Sequence, residues 1–97
     1  MATYIVLFHW TEKGIENVKQ SPARLDHARQ VLKELGGDFK HFYLTMGSCD
    51  MIGVCEAPDD QAIAKFCLTL GARGGVRTET LPAFTEADYR KLIASLP

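Results

Sequence analysis

The stretch Asp38–Asp60, DFKHFYLTMGSCDMIGVCEAPDD, constrains the fold more than any other part of the chain. Two runs rich in aromatic and β-branched residues flank Gly47-Ser48-Cys49, and Pro58-Asp59-Asp60 follows with the chemistry of a helix start. The pattern is strand, tight turn, strand, helix. Side chains alternate along a strand, so the turn length decides which residues share a face. With Gly47–Cys49 as the loop, Met46 stands opposite Asp50, Leu44 opposite Ile52 and Phe42 opposite Val54. Phe42, Leu44, Met46, Ile52 and Val54 then form one dry face. The other face collects Phe39, His41, Tyr43, Thr45, Met51, Gly53 and Cys55. A slip of one residue would mix the two sets, so the apolar pattern favours this odd-numbered loop.

The rest of the chain supplies elements around this hairpin. Tyr4–Trp10, YIVLFHW, reads as a strand buried on both faces and therefore central in its sheet. Tyr4, Val6, Phe8 and Trp10 compete with Ile5, Leu7 and His9 for the side that meets the helices. Thr11 starts a brief helical turn through Val18. Ser21-Pro22 is a second start, with Ser as cap and Pro in the first helical position. Leu25, Ala28, Val31, Leu32 and Leu35 then recur at helical spacing, and Gly36-Gly37 ends the helix. Ile63, Phe66, Cys67 and Leu70 mark the buried stripe of a second long helix that stops at Gly71. Val76–Ala83 is a last strand, with Pro82 suited to a strand end or sheet edge. Thr85 and Asp88 form a capping box for a final helix bearing Tyr89, Leu92, Ile93 and Leu96.

The order β-α-β-β-α-β plus a C-terminal helix is an α+β, ferredoxin-like arrangement, an antiparallel sheet with helices on one face. The uncovered side is expected to carry part of the first strand with His41, Tyr43, Met51 and Cys55. The chain has 97 residues, of which 46% are hydrophobic, and a domain of this size buries only about two-thirds of its unfolded surface. Surplus apolar sheet surface is most simply covered by a second copy packed through a two-fold axis. A homodimer with a ligand-sized cavity is the expectation for this single domain, residues 1–97.

Charge excludes some functions. The net charge is −1, with acids and bases interspersed, so there is no basic stripe for nucleic acid. The three cysteines, Cys49, Cys55 and Cys67, lack the spacing of a disulfide framework or zinc site. The N-terminal apolar run has no basic region before it and is too short to span a bilayer. A reduced, cytoplasmic protein without a membrane partner is expected.

TYIVLFHWTEKGIENVKQSPARLDHARQ, FYLTMGSCDMIGVCEAPDD and GGVRTETLPAFTEADY together resemble the GYD domain family over essentially the whole chain. The signal is strongest in WT-x-x-G, the FYLTMG turn and VRTETL. The resemblance implies the dimeric α/β-barrel superfamily, which includes monooxygenase-like enzymes, haem-binding proteins and amino-acid-sensing modules. The Gly-x-Tyr-Asp turn that names the family is Gly47-Ser48-Cys49-Asp50 here, with Cys49 in the tyrosine position.

Several residues are candidates for chemistry, each with a structural alternative. His9 at the end of the first strand could be a general base, or simply hydrogen-bond nearby backbone. Trp10 is a packing anchor or a ligand contact. His41 and Tyr43 share a strand face, where the pair could relay a proton or orient a carbonyl, with Met51 and Cys55 beside them. Alternatively they form the polar rim of an interface. Asp50 suits a turn-tying role and Cys49 an inert thiol. Arg77 and Glu79 lie on one side of the last strand, where Arg77 could hold a carboxylate, and Thr78 and Thr80 lie on the other. Gly71-Ala72-Arg73-Gly74-Gly75 reads as an anion nest or as a helix cap and turn.

No metal cluster or nucleotide motif is present in the sequence, while a haem ligand is conceivable from His9, His27 or His41. The function these residues support is a homodimeric module binding a small, mostly apolar molecule with a carbonyl or carboxylate. A cofactor-independent enzyme of monooxygenase-like or isomerase-like type, with His41 or His9 as base, is the alternative.

Overall fold

The computed structural model spans Met1–Pro97. Strand β1 (Ala2–Trp10) leads through α1 (Glu12–Glu16) and a 3-10 turn (Val18–Gln20) into α2 (Ser21–Glu34). The hairpin β2 (Asp38–Leu44) and β3 (Met51–Ala57) precedes α3 (Asp60–Ala72), β4 (Val76–Ala83) and α4 (Glu86–Ala94). The sheet is antiparallel with order β2-β3-β1-β4, so β1 is central, as its double-sided hydrophobicity requires. This is the ferredoxin-like α+β architecture with an added C-terminal helix.

Local chemistry sets the helix starts. Asp59 accepts a 2.9 Å bond from Ala62 N–H at the head of α3, and Thr85 caps α4 through Asp88 N–H at 3.2 Å. At α2 the cap position is Gln20, with no side-chain bond, and Ser21 is already helical. The 3-10 turn runs directly into α2 there, so its last residues take the cap position from Ser21.

The core lies between the sheet and the helices α2 and α3. Tyr4, Val6 and Phe8 project into it, which settles the face of β1 and leaves Ile5, Leu7 and His9 on the other side. Phe39 is the centre of an aromatic group, stacked on Phe8 at 6.4 Å and edge-on to Phe66 at 6.2 Å. Gly53 makes room for it, because a Cβ there would meet the Phe39 ring at 2.6 Å.

The hairpin register differs from the expected one. Leu44 pairs with Met51, Tyr43 with Ile52 and Phe42 with Gly53. The connection runs from Thr45 to Asp50, an even number of residues, and is closed by Thr45 N–H donating to Asp50 O at 2.8 Å. That parity change exchanges the two faces of β3 relative to β2. Met51, Gly53, Cys55 and Ala57 are buried under the helices, and Ile52 and Val54 face outward. A register shift between Phe39 and His41 then separates those two, sending Phe39 into the core and leaving His41 outside. Met51 and Cys55 therefore do not join His41 and Tyr43 on the open face.

That open face carries Ile5 and Leu7 of β1, Ile52 and Val54 of β3, and Leu81 of β4, joined in cross-strand rows. No helix covers it. Helix α4 is also unpartnered within the chain, with its Tyr89, Leu92 and Ile93, and Leu96 just after it, all exposed. No helix of the protein is long and apolar enough to cross a membrane.

Candidate ligand-binding cleft

Beneath the N-terminal half of α2, the helix and sheet diverge into a cleft of about 530 Å³. It is bounded by the ends of β1, β2 and β3 (Trp10, Leu44, Met51), with Phe42 along one wall and Val18 and Leu25 opposite. Twelve of its nineteen lining residues are hydrophobic. The volume falls within the roughly 300–1,000 Å³ typical of small-molecule sites.

Phe39, part of the inner wall of the cleft, is held from α2. Arg29 on α2 lies 4.9 Å over the Phe39 ring and donates to the Phe39 carbonyl at 2.8 Å. The guanidinium thus closes the sheet edge beside the aromatic group by stacking and hydrogen bonding at once.

The opposite mouth is built by the Trp10-Thr11-x-x-Gly14 segment. Thr11 caps α1 by accepting from Gly14 N–H at 3.1 Å, while its own backbone N–H donates to Gly75 O at 3.2 Å and its hydroxyl to Gly74 O. Gly14 packs against the same loop so closely that a Cβ would lie 1.9 Å from Gly75 O. Gly74 turns that loop with φ +85°, a conformation glycine adopts without penalty. The WT-x-x-G motif is therefore the joint between α1 and the start of β4.

Next to this joint is a second, polar recess of about 360 Å³, lined by Lys13, Gly14, Asn17, Gln20, Arg24, Arg73 and Gly75. Gln20, Arg24, Arg73 and Gly75 border both spaces. Arg24 donates to Asn17 O at 2.9 Å and Gly14 O at 3.2 Å, and its side chain lies along Gly75.

The residues singled out from sequence are divided among three places. Trp10 and Met51 line the cleft. Cys55 is fully buried in the core, and burial, reinforced by Cys67 nearby, pushes its thiol up from 9.0 to about 12. His41, Tyr43, Arg77 and Glu79 lie on the open sheet face, with the His41 and Tyr43 rings stacked 6.4 Å apart. His9 also borders that face, and its Nε2 lies 2.9 Å from the carbonyl of Ser48. A carbonyl only accepts, so Nε2 carries the proton and Nδ1 is left free.

His27 borders the cleft from α2. No group of three or more His, Cys, Asp or Glu is placed to hold a metal ion. Cys49 is half-buried, with its Sγ 3.6 Å from the Thr45 hydroxyl.

Phe42, Leu44 and Arg24 are among the lining residues that the sequence does not single out for the site. The sequence pattern puts the first two on the helix-facing side, where they lie, but as core packing with nothing to mark them as walls of a cleft. Arg24 carries no sequence signal, because its neighbours Gly14, Asn17 and Gly75 are brought to it by the fold.

Sheet order, connectivity and the recess under α2 define a small ferredoxin-like α+β protein with a ligand-sized cleft. The GYD domain model matches residues 4–93, and the chain belongs to the GYD family. It is 37% identical, over 99% of both chains, to a Thermus thermophilus protein named "Glutamine synthetase and cystathionine beta-lyase binding protein". It also superposes on the crystal structure of a second Thermus thermophilus chain, TTHA0845, with a TM-score of 0.56. That match covers 88% of this chain and 95% of the other at 23% identity, a likeness of fold alone.

Proposed function

We propose that this GYD-family protein is a cytoplasmic binding module. It self-associates through the open face of its sheet and holds a small, mostly apolar molecule under α2. The observation that carries the ligand is the cleft itself, lined mostly by apolar residues and continuous at one mouth with a polar recess. Support for self-association comes from the uncovered Ile5, Leu7, Ile52, Val54 and Leu81, flanked by Arg77 and Glu79, neither of which has an ion-pair partner. A two-fold interface is reciprocal, so an unpaired cation and anion on the same face suit a contact between copies. Three free cysteines suit a reducing compartment.

The name of the Thermus relative favours a second reading, in which the partners are enzymes. Helix α4 offers the apolar stripe that such docking needs, Tyr89, Leu92 and Ile93, continued by Leu96 beyond its end. Catalysis by a histidine base has less support. Neither His9 nor His41 borders the cleft, and His41 has only the stacked Tyr43 beside it.

Native mass spectrometry of protein purified without refolding tests the main reading. A dimer carrying a defined small-molecule mass is the expected result. A monomer at micromolar concentration overturns the self-association. A complex with added glutamine synthetase and no small-molecule mass favours the enzyme-partner reading instead.

A further inference from the structure

The apolar cleft and the polar recess are two halves of one amphipathic site. They share Gln20, Arg24, Arg73 and Gly75, so a molecule filling the cleft would meet the recess at its mouth. The recess has no hydrophobic lining residue and gathers three cations, Lys13, Arg24 and Arg73. The protein as a whole carries a net charge of −1, so this is a local concentration of positive charge.

None of the three cations is neutralised. The ion pairs of the protein are Lys40 with Asp38 and Glu56, and Arg90 with Glu86. Arg24 is held by the carbonyls of Asn17 and Gly14 and braced along Gly75, which fixes its direction without cancelling its charge. Two of its five N–H groups are used in those bonds, leaving others for a ligand. Lys13 likewise donates only to a carbonyl, that of Arg73, at 3.3 Å. An oriented, unpaired guanidinium beside a dry cleft is matched by a carboxylate, which it can bind through two parallel hydrogen bonds.

We infer that the cleft takes an anionic amphiphile, its apolar body under α2 and its carboxylate head on Arg24 with Lys13 and Arg73. The inference rests on the cleft being a ligand site at all. Its chemical class follows from the juxtaposition of Trp10, Phe42 and Leu44 with three unpaired cations across one mouth.

Trp10 is the only tryptophan and lines the cleft, so its fluorescence reports occupancy directly. The test titrates the protein with dodecanoate and with dodecan-1-ol, both below the concentrations at which they self-aggregate. Dodecanoate is expected to bind at least tenfold tighter, with its advantage shrinking as salt is raised. The exposed substitution Arg73→Gln lowers dodecanoate affinity more than dodecan-1-ol affinity and so reduces that advantage, and Arg24→Gln removes most of it.

Because Arg24 also ties the α1 region together, a folding defect in Arg24→Gln leaves Arg73→Gln and the salt series as the deciding measurements. Equal affinity for acid and alcohol overturns the head-group assignment and leaves the apolar cleft standing. No Trp10 response to either compound overturns the cleft as a ligand site, and the inference with it.

Discussion

Asp50 accepts a 2.9 Å hydrogen bond from the backbone N–H of Trp10, forty positions earlier in the chain. Its own N–H donates to Phe8 O at 2.9 Å, so the β2–β3 loop is fastened to the end of β1 by both bonds. His9 reaches the same loop at Ser48 O. The aspartate of the family turn thus holds the end of β1, and Trp10 with it, at the mouth of the cleft.

Removing that carboxylate should loosen the mouth. Asp50→Ala is expected to lower stability by about 1.5–3 kcal/mol, the range for a hydrogen bond to a charged group. Asp50→Asn keeps an acceptor and should cost less. Urea denaturation of the three proteins measures both, and a cost for Asp50→Ala below about 0.5 kcal/mol would show that the loop needs no such tie.

The parity of the hairpin can be tested by two neighbouring substitutions. Met51 is 6% exposed and faces the helices, whereas Ile52 faces the open side. Met51→Lys buries an unpaired ammonium and should cost about 3 kcal/mol or more. Ile52→Lys should leave the monomer fold intact by circular dichroism and disrupt self-association in sedimentation. The register expected from the sequence predicts the reverse pattern for folding.

Gly14 gives a prediction opposite in sign to helix propensity. Alanine normally stabilises a helix relative to glycine by roughly 0.5–1 kcal/mol. Here its Cβ would fall 1.9 Å from the Gly75 carbonyl, a backbone atom that cannot swing away. Gly14→Ala should therefore destabilise by about 2–3 kcal/mol, read as a fall in thermal midpoint. A rise in midpoint would contradict the close packing of α1 on the β4 loop.

Tyr4 links stability to alkaline pH. Its phenol is buried and donates to Asp60 at 2.6 Å, and that bond, with burial adding to it, raises its pKa from 10.0 to about 12. The folded state holds the proton more tightly than the unfolded chain. The contribution is therefore complete below pH 10 and is lost as pH rises through about 12. Tyr4→Phe should cost about 1 kcal/mol at neutral pH and flatten the loss of stability across that alkaline window. Identical pH slopes for the two proteins, from urea midpoints, would refute the linkage.

The helices were legible because their signals are local. Thr11, Asp59 and Thr85 cap the helices that follow them, and Leu32, Ile63, Phe66 and Leu70 are buried where helical spacing puts them. The antiparallel α+β order and the central position of β1 also followed from the sequence, since a doubly apolar strand belongs inside a sheet. The split of β4 into Arg77 and Glu79 on one side and Thr78 and Thr80 on the other needed nothing but strand alternation.

What tertiary structure decided was everything that depends on which residues meet across the chain. Apolar residues stand on both faces of the β2–β3 hairpin, so hydrophobicity could not set its register, and the Thr45–Asp50 closure did. That single parity moved Met51 and Cys55 under the helices and left Ile52 and Val54 uncovered, while Phe42 and Leu44 kept the helix-facing side expected of them. The cationic mouth is likewise non-local, since Lys13, Arg24 and Arg73 come from α1, α2 and the loop before β4. Caps and periodicities are set by neighbours along the chain, whereas register and convergence are set by contacts between segments far apart in it.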